Sequence, residues 1–136
     1  MEEQIKTLDP NLVINDRKDY DNEIHIYCER IYDDKPIHQT TEKVVSDIPF
    51  NNKKVFLHLK VKRFKNTFDM TTKKKTITEK FDFLNDTRTR TNRLEELLYE
   101  LTKNQSFSAA AEYANKYLTN ISRFTLVRMV LKKTKQ

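Results

Sequence analysis

The 136-residue chain contains no glycine and no tryptophan, only three prolines and a single cysteine. Without glycine, any backbone position needing a positive φ must be filled by a residue with a Cβ, and Asn and Asp tolerate that region best. Asn51-Asn52 and Asn85-Asp86 are the expected places. The same absence excludes the glycine-rich loops that cradle phosphates in nucleotide-binding proteins. One cysteine, Cys28, excludes an internal disulfide and suits a reducing compartment. No apolar run approaches membrane-spanning length, and the acidic start Met1-Glu2-Glu3 is unlike a signal peptide. A cytoplasmic protein that makes no membrane contact is expected.

What is present is charge and a modest aromatic core. Charged residues make up 34% of the chain and hydrophobic ones 37%, with eight Phe and six Tyr, enough for one small domain or two very small ones. The charge is unevenly placed. Residues 1–52 hold 6 basic and 12 acidic residues, whereas residues 53–136 hold 20 basic and 8 acidic. Such asymmetry points to a half that meets a polyanion.

The hydrophobic period changes once along the chain. Residues 1–22 are polar around a small patch at Leu12-Val13-Ile14 and read as an extended arm or short strand. In EIHIYCERIY, residues 23–32, Ile24, Ile26 and Cys28 alternate with His25, Tyr27 and Glu29, which is the period of a strand. A weaker strand is expected over 37–46 and a connection over 47–52. The clearest strand follows, with Val55, Leu57, Leu59 and Val61 inward and Phe56, His58, Lys60 and Lys62 on the other side. A Lys-rich connection through Lys73, Lys74 and Lys75 leads to a return strand over 76–81, so that 55–81 forms a basic hairpin steadied by Phe64, Phe68 and Met70.

From Thr91 the period becomes helical. Leu94, Leu97, Leu98 and Leu101 mark a first helix capped by Thr91; Ser106 caps a second, FSAAAEYANKYL; Ser122 caps a third, RFTLVRMVLKK, with Leu126, Val127, Val130 and Leu131 inward. Three short helices with tight breaks are the pattern of a helix-turn-helix unit. The fold class expected is α+β, a small antiparallel sheet over 1–82 followed by a three-helix unit over 88–133.

The third helix carries Arg123, Thr125, Arg128, Lys132 and Lys133 on the face left after its core is satisfied. Arg88, Arg90 and Arg93 alternate with hydroxyls just before and into the first helix, which suits phosphate contact. With Lys60 and Lys62 on the strand and the triplet Lys73, Lys74 and Lys75, these are the candidate DNA-binding residues. No clustered carboxylates, nucleophile–base set or phosphate loop is present, so no enzyme and no cofactor are expected.

DPNLVI, EIHIYCE, SDIPFNNKKVFLHLKVKRFK, ITEKFDF, RTNRLEELLYEL, SFSAAAEYA and ISRFTLVRMV occur in that order. This ordered set resembles the N-terminal DNA-binding region of the ISL-three group of insertion-sequence transposases, over about residues 9 to 133. The resemblance implies a small zinc ribbon followed by a helix-turn-helix, a duplex DNA partner and a mobile-element regulator or accessory factor. It equally admits an element- or phage-encoded effector, an inhibitor or anti-repressor, that reuses the scaffold to bind a protein. Two departures stand out. The family's cysteine pairs are replaced by Asn66 and by Thr71 or Thr72, leaving only Cys28 and His38 for the other knuckle; the acidic residue after the family's Ser-Arg is Phe124. The family's acidic catalytic domain lies beyond the matching region. A structural zinc needs four ligands near tetrahedral, so a degenerate ribbon without metal is expected. Elemental analysis of the purified protein checks this, with less than stoichiometric zinc as the expected outcome.

Overall fold

The computed structural model describes residues 1–33, 35–65, 76–84 and 89–134. The expectations for Asn85-Asp86 and for the packing of Phe68 and Met70 lie outside the described residues. Among those described, five strands and four helices form a mixed α+β structure.

The first departure from expectation comes at once. Residues 2 to 8 form a helix, α1 (Glu2–Leu8), with Glu2 and Glu3 in its first turn and Lys6 in its last, a charge order that suits the helix dipole. It buries Ile5 completely. A seven-residue helix offers too few turns for periodicity to reveal it. Asp9-Pro10-Asn11 then turns the chain, the Asp9 carboxylate accepting from the Asn11 N–H at 2.9 Å, into β1 (Leu12–Asp19).

β1 pairs antiparallel with β2 (Glu23–Arg30), which has the alternating burial its sequence implies. β3 (Ile37–Phe50) and β4 (Lys53–Lys65) form a long antiparallel hairpin. The expected connection over 47–52 is therefore only its last two residues. Asn51 and Asn52 make the turn with φ of 50° and 62°, both in the left-handed region that a two-residue hairpin requires. The sheet order is β1-β2-β4-β3, and β2 runs parallel to β4 from Glu23 opposite Lys54 to Cys28 opposite Leu59. The sheet is thus mixed, not antiparallel throughout: β4 enters between β2 and β3, two strands consecutive in the chain. A short β5 (Thr76–Thr78) pairs antiparallel with Arg63–Lys65, taking the edge of β4 beyond the end of β2.

One face of this sheet is apolar. Ile24, Ile26, Cys28, Val55, Leu57 and Leu59 pack there with Ile5 of α1 and with Phe81 and Phe83. The other face carries His25, Tyr27, Glu29, Phe56, His58 and Lys60, none of them in an apolar cluster. A second apolar cluster gathers α2 (Asn92–Thr102), α3 (Phe107–Tyr117) and α4 (Arg123–Thr134) around Leu94, Leu98, Ala110, Ala114 and Leu126. The small Ala side chains let the helices approach closely.

The two clusters meet at Asp47 of β3, which is 1% exposed. Its carboxylate accepts from the Thr91 hydroxyl at 2.7 Å and from Arg93 Nε at 2.8 Å, and Arg93 Nη2 completes the fork. Arg93 Nη1 also donates to the Gln4 carbonyl of α1 at 3.2 Å. Beside this joint, Ser46 and the 89–91 segment exchange backbone bonds at 2.9 Å. A buried carboxylate whose donors remain but whose charge is removed leaves the opposite charge uncompensated. Asp47→Ala is expected to cost about 3 kcal/mol in denaturant unfolding. Arg93→Lys, which keeps the charge but not the fork, should cost less.

Candidate nucleic-acid interface

α4 is positioned by a corner that has no glycine to help it. Asn115 of α3 takes over that task with its side-chain amide: Oδ1 accepts from the Ile121 N–H at 3.0 Å, and Nδ2 donates to the carbonyls of Ala111 at 2.8 Å and of Ile121. Ser122 then caps α4, its hydroxyl accepting from the Thr125 N–H at 3.1 Å. Lys54 at the start of β4 fastens the same corner to the sheet through Asn120 Oδ1 at 2.9 Å. On the inner side, α4 buries Leu126 fully and packs Met129 against the helical cluster.

Its outer side is basic and partly apolar. Arg123 is exposed; its Nη1 donates to Ser108 Oγ at 3.1 Å and its guanidinium lies over the Phe124 ring, 5.2 Å from the centroid. Arg128 and Lys132 are exposed with no acidic partner among the described residues. Lys133 is drawn back to α2, paired with Glu96 and 4.3 Å from the Tyr99 ring centroid. The Thr125 hydroxyl shares a hydrogen bond with Ser122 at 2.9 Å, within the cap. Leu131, expected inward, is 54% exposed, and Phe124 is 68% exposed.

Among the described residues, the remaining expected DNA contacts do not join this surface. Arg93 is held by Asp47, and Arg90 lies 3.5 Å from Glu95 with a largely covered side chain. Lys62 is 4% exposed: its ammonium bonds Glu29 at 3.1 Å and the Arg30 carbonyl and lies over the Tyr32 ring. It shares the outward side with Lys60 as the alternation implies, but the end of β2, Tyr32 and Glu79 cover it. Lys60 is exposed and paired with Glu29 at 3.3 Å. It sits about 20 Å along β4 from Lys54, the residue that touches the α4 corner. Arg88, Lys73, Lys74 and Lys75 lie outside the described residues, as do Asn66, Thr71 and Thr72. Sequence reading passed over Lys54 and Asn115, whose roles depend on contacts between elements that no local pattern encodes.

Cys28 and His38, the two residues left for a metal knuckle, are apart in character: Cys28 is buried on the apolar face of β2, and His38 is exposed on β3. Among the described residues no group of three or more His, Cys, Asp or Glu side chains is placed to hold a metal, and no helix is long and apolar enough to cross a membrane.

No protein-family model, curated protein or solved structure matches this chain.

Burial pushes the Cys28 thiol up to about 12, and the carboxylates of Asp47, Asp9 and Glu29 push in the same direction. The thiolate is the reactive form. Cys28 is therefore expected to resist a thiol reagent in the folded protein at neutral and mildly alkaline pH. It should react stoichiometrically once denaturant unfolds the chain, as read by absorbance of the released aromatic thiolate.

Proposed function

We propose that the protein is a non-enzymatic duplex-DNA-binding module that docks through α4, acting as a mobile-element regulator or accessory factor. One observation carries this reading. From Tyr113 onward the chain holds six basic residues and no acidic one, and the described part of that stretch exposes Arg123, Arg128 and Lys132 on α4. Attraction to a phosphate backbone supplies most non-specific affinity and orients the protein on the duplex. Arg123, near the N-terminus of α4 and steadied by Ser108, suits a bidentate contact with guanine; Arg128 and Lys132 suit phosphates. The ordered motifs that resemble insertion-sequence transposases support the same reading, since SFSAAAEYA and ISRFTLVRMV cover α3 and α4. Lys62 and Arg93 have no part in it, because each is committed to an internal carboxylate.

A second reading draws on a separate observation. Phe124 and Leu131 on α4, and Tyr113 and Tyr117 on α3, are all more than 45% exposed. A protein-binding effector would use such apolar residues as anchors, ringed by the same cations.

Fluorescence anisotropy on labelled duplexes separates the two. Duplex binding should weaken with salt at a log–log slope of about −3, for three phosphate-neutralising cations. Arg128→Ala should reduce that slope by about 1 with all sequences affected alike, and Arg123→Ala should change the sequence preference. Absence of duplex binding at low salt, with a stoichiometric protein partner recovered instead, would favour the effector.

A further inference from the structure

The sheet face away from the apolar core holds an unbroken line of four side chains drawn from three strands. Glu23 Oε2 lies 2.8 Å from His25 Nε2, His25 Nδ1 lies 2.8 Å from His58 Nε2, and His58 Nδ1 lies 2.8 Å from Glu42 Oε1. Glu23 and His25 belong to β2, His58 to β4 and Glu42 to β3. The parallel register of β2 and β4 sets His25 opposite Phe56 and Tyr27 opposite His58, which brings the two imidazoles together on the diagonal.

Counting hydrogens decides what this line contains. An ionised carboxylate only accepts, and a neutral imidazole carries one N–H and one lone pair. Three contacts need three hydrogens, and two neutral imidazoles bring two. Placing both at the carboxylates sets two lone pairs against each other at 2.8 Å. Moving one to the centre sets a lone pair against a carboxylate. Every arrangement that satisfies all three contacts therefore holds one proton more than two neutral histidines and two carboxylates.

The alternative occupant of a facing histidine pair is a metal ion, and the geometry disfavours it. The ring centroids are 5.0 Å apart, which exceeds the nitrogen separation by about two ring radii, so the nitrogens lie nearly on the line of centres. A metal between collinear imidazole nitrogens needs them about 4 Å apart, twice the usual metal–nitrogen distance. At 2.8 Å the space fits a hydrogen.

The surroundings favour a single positive charge. Tyr27 stacks on the His58 ring at 4.2 Å and 20°, Phe56 stacks on His25 at 5.1 Å and 21°, and Tyr20 meets His25 edge-on. Aromatic faces attract a cation. The other charged groups beside the line are Lys18 of β1, opposite His25; Asp16 of β1, opposite Tyr27; Lys54 of β4, opposite Glu23 with its ammonium on Asn120; and Lys60 of β4, opposite Glu42. Glu29 of β2 is occupied by Lys60 and Lys62. Glu23 and Glu42 are the carboxylates in hydrogen-bond contact with the pair.

We propose that His25 and His58 are joined by one shared hydrogen, with a single positive charge held between Glu23 and Glu42, so that the four side chains form one hydrogen-bonded unit bridging β2, β4 and β3.

Long-range proton–nitrogen NMR on histidine-labelled protein, with exposed His38 as internal reference, reads the hydrogens directly. The expected result at about neutral pH is one far-downfield proton correlated with His25 Nδ1 or His58 Nε2, together with protons on His25 Nε2 and His58 Nδ1. His58→Gln should remove that downfield resonance, because the shared hydrogen needs both rings. His25→Gln serves the same purpose should that variant not fold. Two neutral rings with no shared proton would overturn the proposal. So would a downfield resonance that persists in both variants, or stoichiometric zinc binding that abolishes it.

Discussion

The structure turns on a carboxylate placed where water cannot reach it. Asp47 sits in a strand that reads as a connection, and it has no exposed surface on which to be solvated. Burial of an ion is tolerable only when its lone pairs are filled by well-placed donors. Thr91 and Arg93 fill them, and Arg93 reaches on to α1. Three elements far apart in the chain are thereby set in one geometry, and the helices take their orientation relative to the sheet from it. An apolar contact at this position would bring the same surfaces together without specifying an angle, because hydrophobic attraction is not directional.

The absence of glycine is met by asparagine in two distinct ways. At Asn51-Asn52 the backbone itself takes the left-handed conformation, for which asparagine carries the smallest penalty among residues with a Cβ. At the corner between α3 and α4 the backbone stays ordinary, and the Asn115 side chain supplies the donor and acceptor that a tight turn would have provided. The second solution leaves Ile121 buried inside the corner, which also anchors the start of α4 in the helical core.

Local pattern made much of this fold legible. The alternation in 23–32 and 55–62 assigned two strands and both of their faces, and the caps at Thr91, Ser106 and Ser122 are where hydroxyl residues precede apolar periodicity. What was hidden lies between elements. Alternation says which way a side chain points but not which strand stands beside it, so His25 and His58 could be set on the same face without being seen to touch. Lys62 illustrates the converse: its direction was legible, whereas the residues that cover it come from 29–32 and 79. The same limit applies to the basic face of α4. Its cations are evident from composition, but that Lys133 folds back on α2 while Arg128 does not is a matter of tertiary placement.

The insertion of β4 between β2 and β3 constrains the order of assembly. β2 and β3 follow one another in the chain yet never pair, because β4 occupies the space between them. Had they paired first as an ordinary hairpin, that contact would have to open before the sheet could be completed. A route that avoids that detour would close the tight Asn51-Asn52 hairpin early, from residues near in sequence, and lay it against the β1–β2 ribbon as a preformed pair. On such a route the last step would be a docking of two ribbons, and the edge of β4 that pairs with β2 would stay open to wrong partners until then.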